Sequence, residues 1–380
     1  MEELSIQMQM NGNLQEISLY FHIPFCKRKC DYCHFYVLPS KEPYHQDLLL
    51  GLKLEWERQL PLLSGKQIVS IYFGGGTPSL LEPEFYSKIL GWVRSDSSLS
   101  SDAEITLEAN PDDVSLEKMQ AYASIGINRV SIGVQSLDNL LLKKLGRIHH
   151  SQKAMNSIYT TYEAGITNIS IDLMYDLPEQ TLATWISTLN EAVTLPISHL
   201  SLYNLTIEPH TAFYKKRELL QQQVPNEETS LAMYQEAIAI LENAELKQYE
   251  ISAFSKDQKW SRHNSGYWTA RPFLGFGPSA FSYWEGSRFR NIAHLKRYVD
   301  KLKENQSPVD YEETLDSEAQ ARELFVVQLR LKTGVFLEKY PDFKVVYELV
   351  KQGYLEIQEG VVKLTDRGIL CYDSVAVELI

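Results

Sequence analysis

Cysteine is scarce in this chain, with four among 380 residues. So few exclude a disulfide framework and fit a reducing compartment. Long apolar runs are also missing, and no stretch reaches the length of a membrane span. Low-complexity tracts and internal repeats are absent. Positive charge is in deficit: 37 Lys and Arg face 49 Asp and Glu, a formal net charge of −12. That balance argues against broad, non-specific nucleic-acid binding. Met1 to Asn13 show neither the basic nor the apolar region of a secretory signal, so a cytoplasmic protein is expected. The length allows two or three domains with a sizeable core.

What cysteine there is lies close together. Cys26, Cys30 and Cys33 form a C-x3-C-x2-C run, and only Cys371 lies elsewhere. Three thiolates so spaced can hold three irons of a cubane cluster and leave the fourth iron without a protein ligand. Such clusters usually take four cysteines. An open iron points to chemistry at that corner, by the logic that separates open catalytic zinc sites from closed structural ones. Zinc is a rival, since Cys30 and Cys33 make a C-x2-C pair, but no second pair exists to complete it. Cys30-Asp31-Tyr32-Cys33-His34 also spells the attachment signature of covalent c-type haem. That reading needs export and leaves Cys26 unexplained.

Up to about residue 215, short β-branched or aromatic runs alternate with amphipathic helical stretches. Strands are expected near Ile17–Ile23, Val69–Phe73, Glu104–Glu108, Arg129–Gly133, Ile169–Leu173 and His199–Tyr203. Helices are expected from near Tyr44 to Leu60, from after Ser115 to Gly126, from a cap at Ser151 to Gly165, and from after Thr181 to before Pro196. This alternation predicts a parallel sheet with helices outside. Six units point to an incomplete (β/α)6 barrel, with a doubly wound sheet as the alternative.

Polar features recur at one end of these strands, the C-terminal end where β/α barrels place their chemistry. The cysteine loop follows strand one, and Gly74-Gly75-Gly76-Thr77-Pro78 follows strand two. Glu108 closes strand three, Gln135 lies beyond strand four, and Asp172 ends strand five. Asn204 and Thr206 follow strand six. The glycines let backbone approach a ligand. They lack the ending of a P-loop and the spacing of a dinucleotide fingerprint.

Residues 216–309 read as a loop-rich extension that contains a helix near Asn226–Asn243. It carries His263-Asn264-Ser265-Gly266-Tyr267-Trp268 and Gly275-Phe276-Gly277, the latter a weak dinucleotide-loop candidate. Residues 310–380 read as mostly helical, with a hairpin before a helix at Thr365, a winged-helix-like accessory domain. Cys371 is expected to be a buried small residue in a C-terminal helix.

With C-x3-C-x2-C and the Gly-Gly-Thr-Pro run, the chain resembles the radical S-adenosylmethionine (SAM) superfamily, whose partial barrel would span 14–215. The resemblance implies a [4Fe-4S] cluster on Cys26, Cys30 and Cys33, with SAM chelating the open iron. Reduction would then cleave SAM to methionine and a 5′-deoxyadenosyl radical. Carried onto this sequence, it implies that Gly75, Gly76 and Thr77 meet the SAM amino group. Glu108 would take the ribose hydroxyls, since a carboxylate accepts two bonds from a diol. Arg147 would pair with the SAM carboxylate through its guanidinium fork. Gln135, Asp172, Tyr20 and Tyr32 fall where the family places further contacts.

Within that superfamily the chain most resembles the coproporphyrinogen III oxidase-like branch. Tyr20-Phe21-His22-Ile23-Pro24-Phe25-Cys26 and Ile171-Asp172-Leu173-Met174-Tyr175-Asp176-Leu177-Pro178 resemble its signatures. Two groups compete within it: the oxygen-independent oxidases and the haem chaperones of the HemW type. The oxidases carry a fourth cysteine where this chain has Phe35, and a long extension before the first strand. His263-Asn264-x-x-Tyr267-Trp268 resembles the H-N-x-x-Y-W motif of the chaperones and implies a haem-related role for His263, Asn264, Tyr267 and Trp268. Imidazole ligates haem iron and aromatic rings pack on porphyrin. His22 and His34 compete as ligands. The chaperone reading implies haem as cargo and apo-haemoproteins of the respiratory chain as recipients. It also implies transient membrane contact, a possible homodimer and no nucleic-acid partner.

Overall fold

The computed structural model describes residues 14–380 apart from 341. The reading of Met1 to Asn13 therefore lies outside the described residues. Six parallel strands form the centre: β1 (Gln15–Ile23), β2 (Lys66–Gly75), β3 (Leu99–Ala109), β4 (Arg129–Gln135), β5 (Asn168–Tyr175) and β6 (His199–Asn204). They pair in sequence order, as right-handed strand–helix–strand units require. Helices α1 (Glu42–Gln59), α2 (Pro83–Asp96), α3 (Leu116–Ser124), α4 (Asn139–Lys144), α5 (Ser151–Glu163) and α6 (Leu182–Ala192) fill the connections. The expected (β/α)6 architecture is present. Helix α5 is capped by His150, whose ring accepts the amide of Lys153, so Ser151 is its first residue rather than its cap.

Period-two alternation gives the sheet two chemistries. Ile17, Leu19, Phe21, Ile71, Phe73, Ile105, Leu107, Ile132 and Ile171 are buried in the main apolar core. Phe21 stacks on Phe276 at 4.9 Å and on Phe73 at 5.2 Å between ring centres. The alternate positions are polar: Ser18, Tyr20, Ser70, Tyr72, Glu104, Glu108, Ser131, Asp172 and Ser201. They meet one another across strands, as in Ser70 to Ser18 at 2.8 Å and Ser131 to Asp172 at 3.3 Å. The barrel lumen is therefore a polar, hydrogen-bonded surface.

Residues 216–309 are richer in regular structure than their sequence implied. They add β7 (Lys247–Glu250), β8 (Ala253–Ser255), β9 (Phe273–Phe276), β10 (Phe281–Trp284) and β11 (Ser287–Asn291), with α7 (Glu227–Asn243), α8 (Arg262–Trp268) and α9 (Leu295–Lys303). Strand β12 (Val309–Thr314) completes a twelve-stranded sheet of order β12-β11-β10-β9-β1-β2-β3-β4-β5-β6-β8-β7. Strand β9 runs parallel to β1 as a seventh parallel strand. Its Gly275 is needed because a Cβ there would stand 2.0 Å from the carbonyl oxygen of Phe281. Gly275-Phe276-Gly277 is thus a strand end and turn, not a dinucleotide loop.

The last residues build a separate core of Phe325, Leu329, Tyr340, Val346, Leu349, Val362 and Leu379. It is enclosed by helices Ser317–Gln328, Phe343–Lys351 and Tyr372–Leu379 and a three-stranded sheet, the winged-helix-like arrangement. Cys371 is half-buried between two short helices, not sealed inside one. Among the described residues no helix is long and apolar enough to cross a membrane.

Candidate functional site

The cysteine loop leaves β1 and is clamped by three neighbours. Thr77 N–H donates to the Phe25 carbonyl at 2.7 Å, Asp31 N–H to that of Leu145 at 3.3 Å, and Phe213 N–H to that of Asp31 at 2.9 Å. Cys26, Cys30 and Cys33 are half-buried free thiols on this loop. Lys27, Arg28 and Lys29 between them are exposed, and Lys27 pairs with Asp113. Among the described residues, no three His, Cys, Asp or Glu side chains converge to hold a single metal ion. Burial raises the Cys26 thiol to about 11, although the Thr77 hydroxyl works in the opposite direction. Cys33 is raised by burial as well.

The glycines at the end of β2 make room for protein rather than only for a ligand. A Cβ on Gly76 would stand 2.7 Å from the Phe25 carbonyl oxygen and 2.8 Å from that of Ile23, so Gly76 seats the cysteine loop. A Cβ on Gly75, at φ +107°, would strike the His22 ring at 2.4 Å. Thr77 is buried, with its hydroxyl 3.4 Å from the Cys26 sulfur.

A hydrogen-bonded chain then crosses the barrel mouth. The Thr77 hydroxyl accepts from Asn110 Nδ2 at 3.0 Å. Arg147 Nη2 donates to Asn110 Oδ1 at 2.8 Å and to the Gly133 carbonyl at 2.6 Å. Arg147 Nη1 lies 3.6 Å from the Cys30 sulfur. Asn110 was not singled out in the sequence, although its place two residues past Glu108 was a usable signal. Lys27, Arg28, Cys30, Asn110 and Arg147 line one cleft. A larger hollow of about 590 Å³, lined by Arg94, Ser98, Ser101 and Asn128, holds none of the candidate residues.

Deeper in the lumen, Glu108 accepts from the Tyr72 hydroxyl at 2.8 Å and from Gly75 N–H at 3.0 Å. Desolvation raises its carboxyl to about 7; the Tyr72 bond opposes this and Asp172 adds to it. Asp172 is raised to about 6 by desolvation, against bonds from Ser131 and Ser201. It sits inside β5 rather than at its end. Gln135 is the last residue of β4, at a register shift, with φ +65°. Such left-handed backbone is strained in a non-glycine residue and is found at functional sites. Tyr20 donates or accepts at His22 Nδ1, 3.1 Å away, and stacks on Tyr72 at 6.1 Å. Tyr32 lies beside Phe213, 6.5 Å between ring centres. Burial raises its phenol, and the Arg147 guanidinium, paired with its hydroxyl, works against that rise. Asn204 reaches Asp176, while Thr206 is exposed.

The histidine motif occupies helix α8 rather than a loop. His263 is 1 % exposed, and both ring nitrogens are engaged: Nδ1 with Ser70 Oγ at 3.0 Å and Nε2 with Tyr267 Oη at 2.8 Å. Burial lowers this imidazole to about 3, so it is neutral. It offers no free nitrogen to haem iron in this conformation. Asn264 is half-buried, with its backbone N–H donating to Ser261 Oγ. Trp268 lies under the Arg330 guanidinium, 4.3 Å from the ring centre. His34 on the cysteine loop, by contrast, is exposed, its ring 4.6 Å from Phe35.

A three-cysteine loop over an incomplete barrel defines a radical SAM protein, and the sequence profile of the radical SAM superfamily matches residues 20–192. The Heme chaperone HemW of Bacillus subtilis (strain 168) is 34% identical over 371 residues, 94% of this chain and 97% of that protein. The Heme chaperone HemW of Lactococcus lactis is 33% identical, over 92% of this chain and 94% of its own length. Coproporphyrinogen III oxidase (HemN) from Escherichia coli superposes with a TM-score of 0.84 over 97% of this chain and 91% of its own. At 23% identity that likeness establishes the shared fold. The chain belongs to the radical SAM superfamily and, within it, to the HemW family.

Membership implies a [4Fe-4S] cluster and SAM, and the residues present fit both. Three thiols share one loop beside a guanidinium, and a thiolate needs such a cation or a metal once it is partly buried. Of the five Arg147 N–H donors, three meet Cys30, Asn110 and the Gly133 carbonyl and another meets Tyr32, which leaves one for a carboxylate. Glu108 keeps part of its surface open to the lumen, with lone pairs left for a diol.

Proposed function

We propose that this chain is a haem chaperone that carries a [4Fe-4S] cluster and SAM, binds haem and hands it to an apo-haemoprotein. The observation that supports this reading is similarity along nearly the whole length of two haem chaperones. Cys26, Cys30 and Cys33 would take three irons of the cluster, which would supply the electron needed to cleave SAM. Gly75, Gly76 and Thr77 receive the amino end, and Arg147 takes the carboxylate while Asn110 holds its fork in place. Glu108 takes the ribose hydroxyls. Gln135, Asp172 and Tyr20 wall the lumen, and Tyr32 packs the edge of the cluster loop. The recipients are respiratory haemoproteins, reached through transient membrane contact, and a homodimer is the working unit. The haem-related role of His263, Asn264, Tyr267 and Trp268 is indirect, exerted through the lumen that helix α8 closes. His34 offers the cluster loop's exposed imidazole.

The test starts from protein reconstituted without oxygen. Haemin is titrated and the loaded protein is mixed with a haem-depleted b-type cytochrome. Stoichiometric haem binding followed by restored cytochrome absorbance is expected. Reduced protein given SAM and coproporphyrinogen III should yield no decarboxylated product. Repeated turnover to protoporphyrinogen would make the chain the oxidase instead.

A further inference from the structure

We propose that helix α8 is a positioning element of the SAM site: His263 and Tyr72 together hold the Glu108 carboxylate, and so set how the ribose end of SAM is bound. This rests on the assignment of Glu108 to the ribose hydroxyls.

Strand β3 presents Glu104 and Glu108 on one face, four residues apart, and each is tied to the same helix by a different route. Glu104 caps α8 directly. Its Oε2 accepts Arg262 N–H at 3.0 Å and its Oε1 accepts His263 N–H at 2.9 Å. Two orphan amides of a helix start are thereby satisfied by a carboxylate from the strand wall. Ser261 adds the local cap through Asn264 N–H at 3.2 Å.

The second route runs through rings. The His263 imidazole cannot turn, because Ser70 and Tyr267 hold its two nitrogens. Its face lies against Tyr72, with ring centres 4.9 Å apart. Tyr20 stacks on Tyr72 at 6.1 Å. Tyr72 therefore has little freedom about its ring, and its hydroxyl reaches Glu108 Oε1 at 2.8 Å. Without that donor, Gly75 N–H alone would fix the carboxylate, and the group could swing about that single bond. Burial alone requires both nitrogens of His263 to be bonded; it does not require the ring to lie beside Tyr72, the tyrosine that holds the Glu108 carboxylate.

The test compares SAM with L-methionine, which shares the amino-acid end and lacks a ribose. Full-length protein is reconstituted with its cluster, and dissociation constants are measured by equilibrium dialysis for wild type, Glu108→Gln, Tyr72→Phe, Tyr267→Phe and His263→Asn. Tyr72→Phe should weaken SAM roughly tenfold, the loss of one hydrogen bond to a charged group, and leave methionine within about twofold. His263→Asn and Tyr267→Phe should follow in the same direction. Tyr72→Phe combined with Glu108→Gln should weaken SAM no further than Glu108→Gln alone. Equal weakening of SAM and methionine in the Tyr72 and Tyr267 variants would mean general loosening and would overturn the proposal. Wild-type SAM affinity in those variants, with Glu108→Gln impaired, would overturn it as well. Unimpaired Glu108→Gln would remove the ribose assignment itself, and the proposal with it. The Tyr→Phe changes keep the test decisive should His263→Asn fail to fold.

Discussion

The guanidinium of Arg147 lies 3.6 Å from the sulfur of Cys30 while its other nitrogen is fixed by Asn110 and by the Gly133 carbonyl. One planar group thus touches the cluster loop and the ends of β3 and β4 at once. Lysine has a point charge and cannot keep three directions. Arg147→Lys should therefore weaken SAM about tenfold or more and leave iron content near wild type. Dialysis and iron analysis on the same preparation check both halves.

The protons on the cysteines set a second expectation. Burial holds Cys26 at about 11 and raises Cys33, so both are thiols at neutral pH before metal arrives. Metal ligation needs thiolates and must release those protons. Cluster assembly should become more favourable as pH rises from about 7 to 9, with proton uptake by a weakly buffered solution. Assembly that does not change with pH would contradict this account.

Glu55 supplies a stability test far from the cluster. It is fully buried and accepts from Tyr298 Oη at 2.6 Å, Gly277 N–H at 2.8 Å and Asn291 Nδ2 at 2.6 Å. Desolvation raises it from 4.5 to about 7. The folded state then keeps its proton over a range in which the unfolded state has lost it. Stability from this group is present below about 4.5 and falls as pH rises toward 7, by on the order of 3 kcal/mol. Glu55→Gln should flatten that part of the pH dependence of thermal unfolding.

Two glycines make a matched pair. A Cβ on Gly76 meets backbone atoms of Phe25 and Ile23, which cannot step aside, whereas nothing lies within 4 Å of one on Gly91. Gly76→Ala should cost about 2 kcal/mol or more and lower iron content. Gly91→Ala, inside helix α2, should gain roughly 0.5–1 kcal/mol. Denaturant unfolding and iron analysis read both.

The six central strands were legible because each is apolar toward its helices and polar toward the lumen, and because Cys26, Gly75, Glu108 and Gln135 all fall at one strand end. Strand β9 was not legible: Phe273–Phe276 is four residues long and broken by Gly275. Helix α8 spans seven residues, too few for a helical period to show. Its partners were beyond reach of any local pattern, since Ser70 lies 193 residues from His263 and Glu104 lies 159 away. The motif letters were readable, but the fact that they face inward was not.

A sheet that does not close on itself leaves two rows of unpaired backbone groups, a template for pairing with other chains. Here both rows are guarded from the same end of the sequence. On one side β12 is the outermost strand and carries Asp310, Glu312 and Glu313. On the other, beyond β7, Lys332 N–H donates to the Tyr249 carbonyl at 3.0 Å, Ile251 N–H to that of Arg330 at 3.1 Å, and Glu250 bridges to Leu331. Cutting the chain before residue 309 would strip the acidic rail from one border and the strap from the other. The shortened barrel would still contain every residue proposed to meet the cluster and SAM, but its raw borders would drive it into aggregates.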